Sequence, residues 1–471
     1  MLDRAETLSV RTKRFLPYLL AVAIFMQMLD TTILNTALPS IAYDLNASPL
    51  TMHSVVISYT LILAIFTPIS GYLADRFGTK TLFSAAIFFF TLGSLLCALA
   101  PNLTALIGGR MVQGLGGAFL TPVARLALIK SYPRDEIMPV LNFAVMPALI
   151  GPLIGPMLGG YIVEVASWHW IFLINLPIGA LAFIAGLSFM PNLKERCSKL
   201  DLKGFLLFSS GLFLSVYGFD RLGHGGHLVG ALIGLLLGGA LFALYWRYAA
   251  FYEKALFPTK LWLIRTYRVG LTGNLVARLG MSAIPFLVPL YLQVARGYSP
   301  SEAGFMLIPI AAAGLSAKPF IPHLLRRIGY RPMLVVNTMI LTLIISAIAY
   351  LGESLSKPGF MALLFLAGFS NSCQFSTMNT LTIARLRPDH VSAGSTLMVV
   401  NQQLALSLGV ALSALLLNLY PHFVPEATKM AQFKFTFGTV AFFTFASSFV
   451  FMRLHKHDGE GLIKKRSKDR R

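Results

Sequence analysis

Fourteen apolar stretches, each close to twenty residues long, recur along this chain and constrain its fold more than any other feature. A helix needs about 20 apolar residues to cross a ~30 Å hydrocarbon core. The stretches lie at 16–37, 51–73, 81–100, 103–127, 137–164, 170–190, 203–219, 227–249, 268–293, 301–323, 332–351, 358–382, 391–418 and 433–453. Only 12% of the 471 residues are charged, against about a quarter in soluble domains. The sequence therefore predicts an all-α polytopic membrane protein and excludes a soluble enzyme, a disordered chain and a secreted disulfide scaffold.

The positions of the basic residues predict the orientation in the membrane. The chain has 39 Lys and Arg against 19 Asp and Glu, a net charge of +20. When the loops are numbered alternately, most of these cations fall on the side of the N-terminus. Because loops rich in Lys and Arg face the cytoplasm, we expect both termini on the cytoplasmic side of the membrane. The excess charge then reflects topology, and nucleic acid is not an expected partner.

A weak internal repeat predicts how the spans are grouped. The loop at 71–80 resembles the loop at 322–331, with Gly78 aligned with Gly329. Two similar halves around a midplane site are typical of transporters. We expect a six-helix bundle, two inserted spans with their linkers, a second six-helix bundle and a basic cytoplasmic tail, at 1–190, 191–265, 266–453 and 454–471.

Four charged residues lie well away from the ends of the predicted spans, namely Asp30, Arg110, Arg278 and Lys318. A charge at mid-bilayer costs at least ~2.5–3.5 kcal/mol, so each is a functional candidate. At ~1.5 Å per residue, Asp30 lies about 21 Å from the inner edge of a ~30 Å core, and Arg110 lies about 11 Å from the outer edge. The two depths agree within about one turn, so the two charges are expected to be able to pair.

Two interpretations of this pair are open. One is a structural ion pair supported by Gln27 and Gln113, each one helical turn from one of the charges. The other is a proton-coupled switch, in which Arg110 keeps Asp30 ionised until closure removes water and Asp30 takes up a proton. We favour the switch, because an apolar pair would join two helices at lower cost.

The fifth span combines small residues with prolines. Gly151, Gly155 and Gly159 are spaced by four and lie on one face, where bare backbone lets another helix approach closely. Pro152 and Pro156 each remove a helical hydrogen bond and bend the span. This pattern has two possible explanations: close packing against another helix, and a hinge or a seal.

Polar residues in the spans are candidates for a substrate cavity. The predicted residues are Gln27, Asn35, Gln113, Arg278, Asn371, Gln374 and Gln402. Arg278 lies roughly 15 Å into its span, near midplane. It either binds an organic anion, such as a carboxylate or its metal complex, or packs between helices and bonds to carbonyls. Lys318 lies nearer the inner end of its span and can extend to the lipid headgroups.

The sequence contains no motif for a cofactor, a metal ion or ATP. It has no Walker loop, and His224 and His227 lack a third ligand. ATP is therefore not the expected energy source, whereas the switch proposed for Asp30 would use a proton gradient. No set of nucleophile, base and orienting residue indicates an enzyme.

Five segments together resemble the major facilitator superfamily, in particular its fourteen-span drug:proton antiporter branch. They are Leu29–Pro39, Gly71–Lys80, Arg110–Gly117, Gly151–Gly160 and Ser167–Pro177. The likeness covers essentially the whole chain. It implies two six-helix bundles plus two extra helices, and a rocker-switch antiporter that exports drugs or other small molecules from the cytoplasm.

The resemblance also implies roles for particular residues. Asp30 and Arg110 would couple transport to protons. The motifs for gating and for the antiport seal would comprise Gly71, Asp75, Arg76, Gly78, Gly151, Gly155, Pro156 and Gly159. The second half departs from the pattern, because Arg326 aligns with Asp75 and no span there has a deep carboxylate.

One competing interpretation is a receptor or regulator built on a transporter scaffold. Such a protein would consume no pH gradient and would tolerate Asp30→Asn. A channel is disfavoured, because no span carries rings of acidic or carbonyl-rich filter sequence. We expect a protein that functions as a monomer, with a small-molecule substrate and membrane lipid as its partners.

Overall fold

The computed structural model describes residues 10–195, 200–223, 228–252, 254–387, 390–424, 426, 428–455 and 458–459. Within these ranges all regular secondary structure is helical. The His224 and His227 pair and most of the predicted basic tail lie outside them.

The helices follow the predicted apolar stretches. Those of the first half are α1 Val10–Asp44, α2 His53–Phe66, α3 Ser70–Phe77, α4 Thr79–Ala98, α5 Leu103–Ser131, α6 Arg134–Val165, α7 Trp170–Leu173 and α8 Asn175–Phe189. The remaining α-helices are α9 Leu202–Gly223, α10 Leu228–Phe251, α11 Arg265–Met281, α12 Ile284–Leu290, α13 Pro300–Ala317, α14 Ile321–Ile328, α15 Tyr330–Leu351, α16 Lys357–Ile383, α17 Val391–Phe423 and α18 Lys429–Met452. A π-helical turn, Tyr291–Ala295, continues α12.

Three of the long helices begin at a capping side chain. Asn102, Ser356 and Thr428 each accept a hydrogen bond from a backbone N–H in the first turn of α5, α16 and α18. The first four N–H groups of a helix have no partner within it. A cap supplies one partner and fixes where the helix begins.

The predicted count of fourteen spans is not confirmed. Eleven helices in the described ranges are long and apolar enough to cross a membrane, and the pair α13 and α14, bent by 61°, would make twelve. The other two predicted spans correspond to α6 and α16. Among the side chains that the structure describes, the apolar part of α6 is Leu149–Val165. Helix α16 is long enough, but its amide and hydroxyl side chains lower its hydropathy.

The chain divides into two compact units. The first comprises the residues up to Leu202 together with Tyr298–Phe305, and the second comprises Lys203–Gly297 and the residues from Met306 onward. In the first unit α1 packs along α6, and α5 packs against both α4 and α2. In the second unit α18 packs against α15 and α11, and α17 also contacts α11. The predicted boundaries at 190 and 265 stay predictions.

The internal repeat reappears in the backbone. Gly78 separates α3 from α4, and Gly329 separates α14 from α15. Their φ angles are +97° and +85°, in a region that other residues rarely adopt. A Cβ on Gly78 would lie 1.8 Å from the Asn192 side-chain oxygen, whereas the nearest atom to a Cβ on Gly329 is in Pro332 at 3.9 Å. The two halves therefore contain the same kind of turn, but only the glycine of the first half is tightly packed against a neighbouring side chain.

Candidate functional site

A buried ion pair joins α1 to α5 in the first unit. Arg110 Nη1 lies 2.7 Å from Asp30 Oδ2, and each residue is 1% exposed. The guanidinium also lies over the Tyr59 ring, with its carbon 4.3 Å from the ring centroid. Its Nε donates to the Val55 carbonyl at 3.4 Å. The structure thus brings together the two charges whose depths match in the sequence, while their role in proton coupling stays a prediction.

Hydrogen-bond donors surround the Asp30 carboxylate. Gln113 Nε2 and Asn175 Nδ2 donate to its Oδ1 at 2.7 and 2.9 Å. Gln113 Oε1 accepts from Arg110 Nη1 at 2.6 Å. Both amides also donate to Ser94 Oγ, at 2.8 and 3.3 Å. An ionised carboxylate can only accept hydrogen bonds, so this arrangement fits Asp30 in its charged form.

Gln27 lies one turn before Asp30 and makes its own contacts with α5. Its Nε2 donates to the Gly117 carbonyl at 3.0 Å, and its Oε1 accepts from Thr121 Oγ1 at 2.7 Å. Gln27 therefore helps to hold α1 against α5. Asn35, another predicted cavity residue on α1, is half-buried.

Three residues of this network are absent from the predictions, namely Tyr59, Ser94 and Asn175. Asn175 lies inside the segment 167–177, which contributes only to the family resemblance. A buried amide needs hydrogen-bond partners, and applying that rule to Asn175 would have made it a candidate. Ser94 and Tyr59 carry no comparable signal, because Ser and Tyr are common in spans.

The glycine face of α6 packs against the middle of α1. A Cβ on Gly151, Gly155 or Gly159 would lie 2.9, 2.1 or 2.2 Å from an atom of α1. Thr36 Oγ1 on α1 donates to the Pro156 carbonyl at 3.0 Å. Close packing is therefore one purpose of this motif, and its role as an antiport seal stays a prediction.

We expect Gly159→Ala to destabilise the protein by about 1–3 kcal/mol, the usual range for an overpacked contact. The new Cβ would lie 2.2 Å from the Ile33 carbonyl oxygen, a backbone atom that cannot rotate away. Displacing Ile33 also displaces Asp30, so transport should fall with stability. Thermal melting of the purified protein and transport in vesicles measure the two effects.

Gly108→Ala is the matched control for that substitution. Gly108 lies in α5, and a Cβ there would have no atom within 4 Å. Alanine favours the helix by about 1 kcal/mol over glycine, so this variant should be as stable as the wild type or more so. Equal melting temperatures for the two variants would contradict the tight α1–α6 contact.

The loop at 71–80 is tied to the segment that follows α8. Lys130 Nζ at the end of α5 lies 2.8 Å from Asp75 Oδ1 and 3.0 Å from Glu195 Oε1. Thr79 Oγ1 donates to the Pro191 carbonyl at 2.6 Å. Asp75, which is predicted to act in gating, and Glu195, which is not among the predicted residues, therefore both pair with Lys130.

The other residues of the predicted gating motif differ in their contacts. Arg76 is exposed, and its Nη1 donates to the hydroxyl of Tyr72 in the same helix at 2.6 Å. Gly71 has open space where a Cβ would lie. Gly78 is buried against Asn192. Of these four predicted gating residues, Asp75 pairs with Lys130 and Gly78 packs against Asn192, both of which lie outside the loop.

Arg278 in the second unit has no acidic partner among the residues that the structure describes. Its guanidinium carbon lies 4.6 Å from the centroid of the Phe375 ring on α16. Its Nε has no hydrogen-bond partner in the described ranges, and the residue is half-buried. None of these contacts supports the alternative that Arg278 packs between helices and bonds to carbonyls.

An amide cluster lies beside Arg278. Asn274, one turn earlier on α11, is 0% exposed, and its Nδ2 lies 3.5 Å from Asn379 Oδ1 on α16. Gln402 Nε2 on α17 donates to the same oxygen at 2.9 Å. Asn274 Oδ1 has no hydrogen-bond partner within the described ranges. Of the predicted cavity amides, Gln402 therefore belongs to this cluster.

Gln374 lies elsewhere on α16. It is 1% exposed, and it bonds to Asn337 and Thr338 of α15 at 2.8 Å each. Its amide therefore joins two helices. Asn371 is exposed on α16, one turn before Phe375 and on the same face. Lys318 is exposed at the bend between α13 and α14.

The chain is similar to known transport proteins over most of its length. The sequence pattern of the Major Facilitator Superfamily matches residues 20–410. The "Probable transport protein HsrA" of Haemophilus influenzae is 41% identical over 453 residues, which cover 96% of this chain and 98% of that protein. The "Putative multidrug resistance protein MdtD" of Pectobacterium carotovorum is 44% identical over 408 residues, or 86% of this chain and 88% of that protein.

Solved structures share the fold at low sequence identity. A bacterial homologue of the human lysosomal transporter Spinster, in an inward-facing and unoccupied conformation, has a TM-score of 0.64 at 14% identity and covers 94% of this chain and 98% of its own. A mutant of the peptide transporter POT in complex with sulfate has a TM-score of 0.68 at 15% identity and covers 93% of each chain. By its fold and by the extent of the family match, the chain belongs to the major facilitator superfamily, and it is a membrane transport protein rather than an enzyme.

Proposed function

We propose that this protein is a proton-coupled antiporter that exports drugs or other small molecules from the cytoplasm across a bacterial inner membrane, with both termini inside. The observation that carries the proposal is the buried pair of Asp30 and Arg110 with its amide donors. Asp30 is the only carboxylate deep in a predicted span. The proton gradient is the proposed energy source.

Protonation of Asp30 would change what holds α1 to α5. A carboxylic acid has one O–H donor and has lost its charge. A proton on Oδ1 would face Gln113 and Asn175, and a proton on Oδ2 would face Arg110. Each of these groups donates to that oxygen in the charged form, so at least one bond must break. The attraction to Arg110 would weaken at the same time. Proton binding would therefore favour a different packing of α1, and such a difference between two states is what couples proton binding to transport.

Helix α6 offers a route by which a shift of α1 reaches the start of α13. Its glycine face contacts α1, and a Cβ on Gly160 would lie 2.1 Å from the Pro300 carbonyl oxygen. A Cβ on Gly304 would in turn lie 2.2 Å from the Pro156 carbonyl oxygen. Glycine at both positions therefore lets the two helix backbones approach closely, which supports a sealing role for the motif.

The names of the relatives support the choice of substrates. Proteins 41 to 44% identical to this chain are named as a transport protein and as multidrug resistance proteins. Export of drugs or other small molecules is the activity that those names suggest. The competing proposal, a receptor on a transporter scaffold, differs in one measurable respect, because it consumes no pH gradient.

Inside-out membrane vesicles that contain the protein test this function. A pH gradient is imposed and followed with an acridine dye, and ethidium or salicylate is then added. We expect substrate addition to dissipate part of the gradient and substrate to accumulate in the vesicles, with both effects abolished by a protonophore. Vesicles that contain Asp30→Asn should behave like vesicles without the protein. Accumulation that survives the protonophore would contradict antiport.

A further inference from the structure

We propose that the Arg278 cluster, which comprises Asn274, Arg278, Phe375, Asn379 and Gln402, is a binding site for an organic carboxylate that carries a hydroxyl or N–H group. As a substrate site it rests on the proposed transport function, whereas binding itself does not. All five residues belong to the second unit and come from three helices, α11, α16 and α17.

A comparison of the two intramembrane arginines motivates the proposal. Arg110 and Arg278 each lie over an aromatic ring, at 4.3 Å from Tyr59 and 4.6 Å from Phe375. Arg110 also has a carboxylate, Asp30, at 2.7 Å. Arg278 has the ring but no carboxylate among the described residues. The second site therefore resembles the first with its anion removed, and a ligand carboxylate would complete it.

A guanidinium is suited to this task. It presents a planar set of N–H donors that matches a carboxylate in a bidentate arrangement. Phe375 covers one face of the Arg278 guanidinium, which leaves the edge with its N–H groups for the ligand. Arginine inside a membrane is costly without a partner, and such residues commonly mark substrate pathways.

The amides predict the second group on the ligand. Asn274 Oδ1 is buried and has no hydrogen-bond donor within the described ranges, so it would accept from a ligand hydroxyl or N–H. Asn379 Oδ1 faces the amide groups of Asn274 and Gln402, which orients the Asn379 side chain. Asn274 and Arg278 are one turn apart, a separation of about 5–6 Å between Cβ atoms. A compact hydroxy- or amino-carboxylate spans that distance.

Calorimetric titration of the purified full-length protein in lipid nanodiscs tests the site. The probes are salicylate, 4-aminobenzoate and shikimate, each paired with its neutral carboxamide. We expect at least one carboxylate to bind at least tenfold more tightly than its carboxamide. We also expect Arg278→Gln to weaken that binding at least tenfold. Arg278→Lys should give an intermediate loss, because an ammonium keeps the charge without the bidentate geometry.

Arg268→Gln is the matched control, because Arg268 is exposed near the start of the same helix. It should bind the probes as the wild type does, and melting curves show that each variant is folded. Two results would overturn the proposal: carboxylates that bind no better than their carboxamides, or binding to Arg278→Gln that stays within twofold of the wild type.

The outcomes also separate this site from the proposed antiport. Carboxylate binding through Arg278 without proton movement in vesicles would retain the site and reject antiport. Proton movement with ethidium, together with no carboxylate binding, would retain antiport and reject the site. Binding is measured without a gradient, so Asp30→Asn should bind the carboxylate in either case.

Discussion

Asp30→Asn is expected to abolish transport driven by a pH gradient while substrate exchange at equal pH continues. The substitution keeps the size of the side chain but removes the group that takes up a proton. The Asn175 and Gln113 amides, which donate to Asp30 at 2.9 and 2.7 Å, can still donate to the new carbonyl oxygen. The new NH2 group takes the place of Oδ2 and cannot accept from Arg110 Nη1, so the variant should lose that bond together with its coupling. Proteoliposomes with and without an imposed gradient measure the two activities separately.

Asp44→Asn is the control for this prediction. Asp44 ends the same helix, is exposed, and accepts a hydrogen bond from Trp168 Nε1 at 2.7 Å. An asparagine oxygen can accept the same bond, so gradient-driven transport should be retained. If Asp30→Asn transports against a gradient as well as Asp44→Asn does, Asp30 has no part in coupling.

Arg110→Gln is expected to destabilise the protein by about 3–5 kcal/mol, the range found when one partner of a buried ion pair is removed. It would leave the Asp30 charge at 1% exposure with only amide donors. Removing that charge as well should recover much of the loss, so the double variant Asp30→Asn/Arg110→Gln should be more stable than Arg110→Gln alone. Melting of all four proteins gives the coupling between the two residues.

Arg268→Gln serves again as the control, because it removes an exposed arginine and should change stability by less than about 0.5 kcal/mol. A double variant that loses as much stability as the two single variants combined would show that the side chains act independently. That result would remove the ion pair from the explanation of the fold.

Helical geometry made part of the site predictable. A fixed rise of about 1.5 Å per residue is enough to compare the depths of Asp30 and Arg110, although α1 runs from Val10 to Asp44 rather than over the predicted 16–37. The spacing of Gly151, Gly155 and Gly159 likewise fixes a common face on α6. Both inferences depend on the geometry within one helix.

Lateral contacts between helices were not predictable in the same way. Asn175 reaches Asp30 because α8 packs against both α1 and α4, and no local pattern shows which helices are neighbours. Gln374 illustrates the same limit, since it bonds to α15 while Asn379, five residues later, faces α11 and α17. The predicted count of fourteen spans stays unconfirmed, and for α16 the reason is that amides and hydroxyls dilute the apolar character of the helix.

Proton release from the purified protein tests the central claim most directly. The wild type and Asp30→Asn are placed in weakly buffered solution at mildly acidic pH, and saturating ethidium or salicylate is added while the pH is recorded. Competition between substrate and proton through Asp30 predicts release from the wild type and none from Asp30→Asn. Equal release from both proteins would contradict the role of Asp30 in coupling.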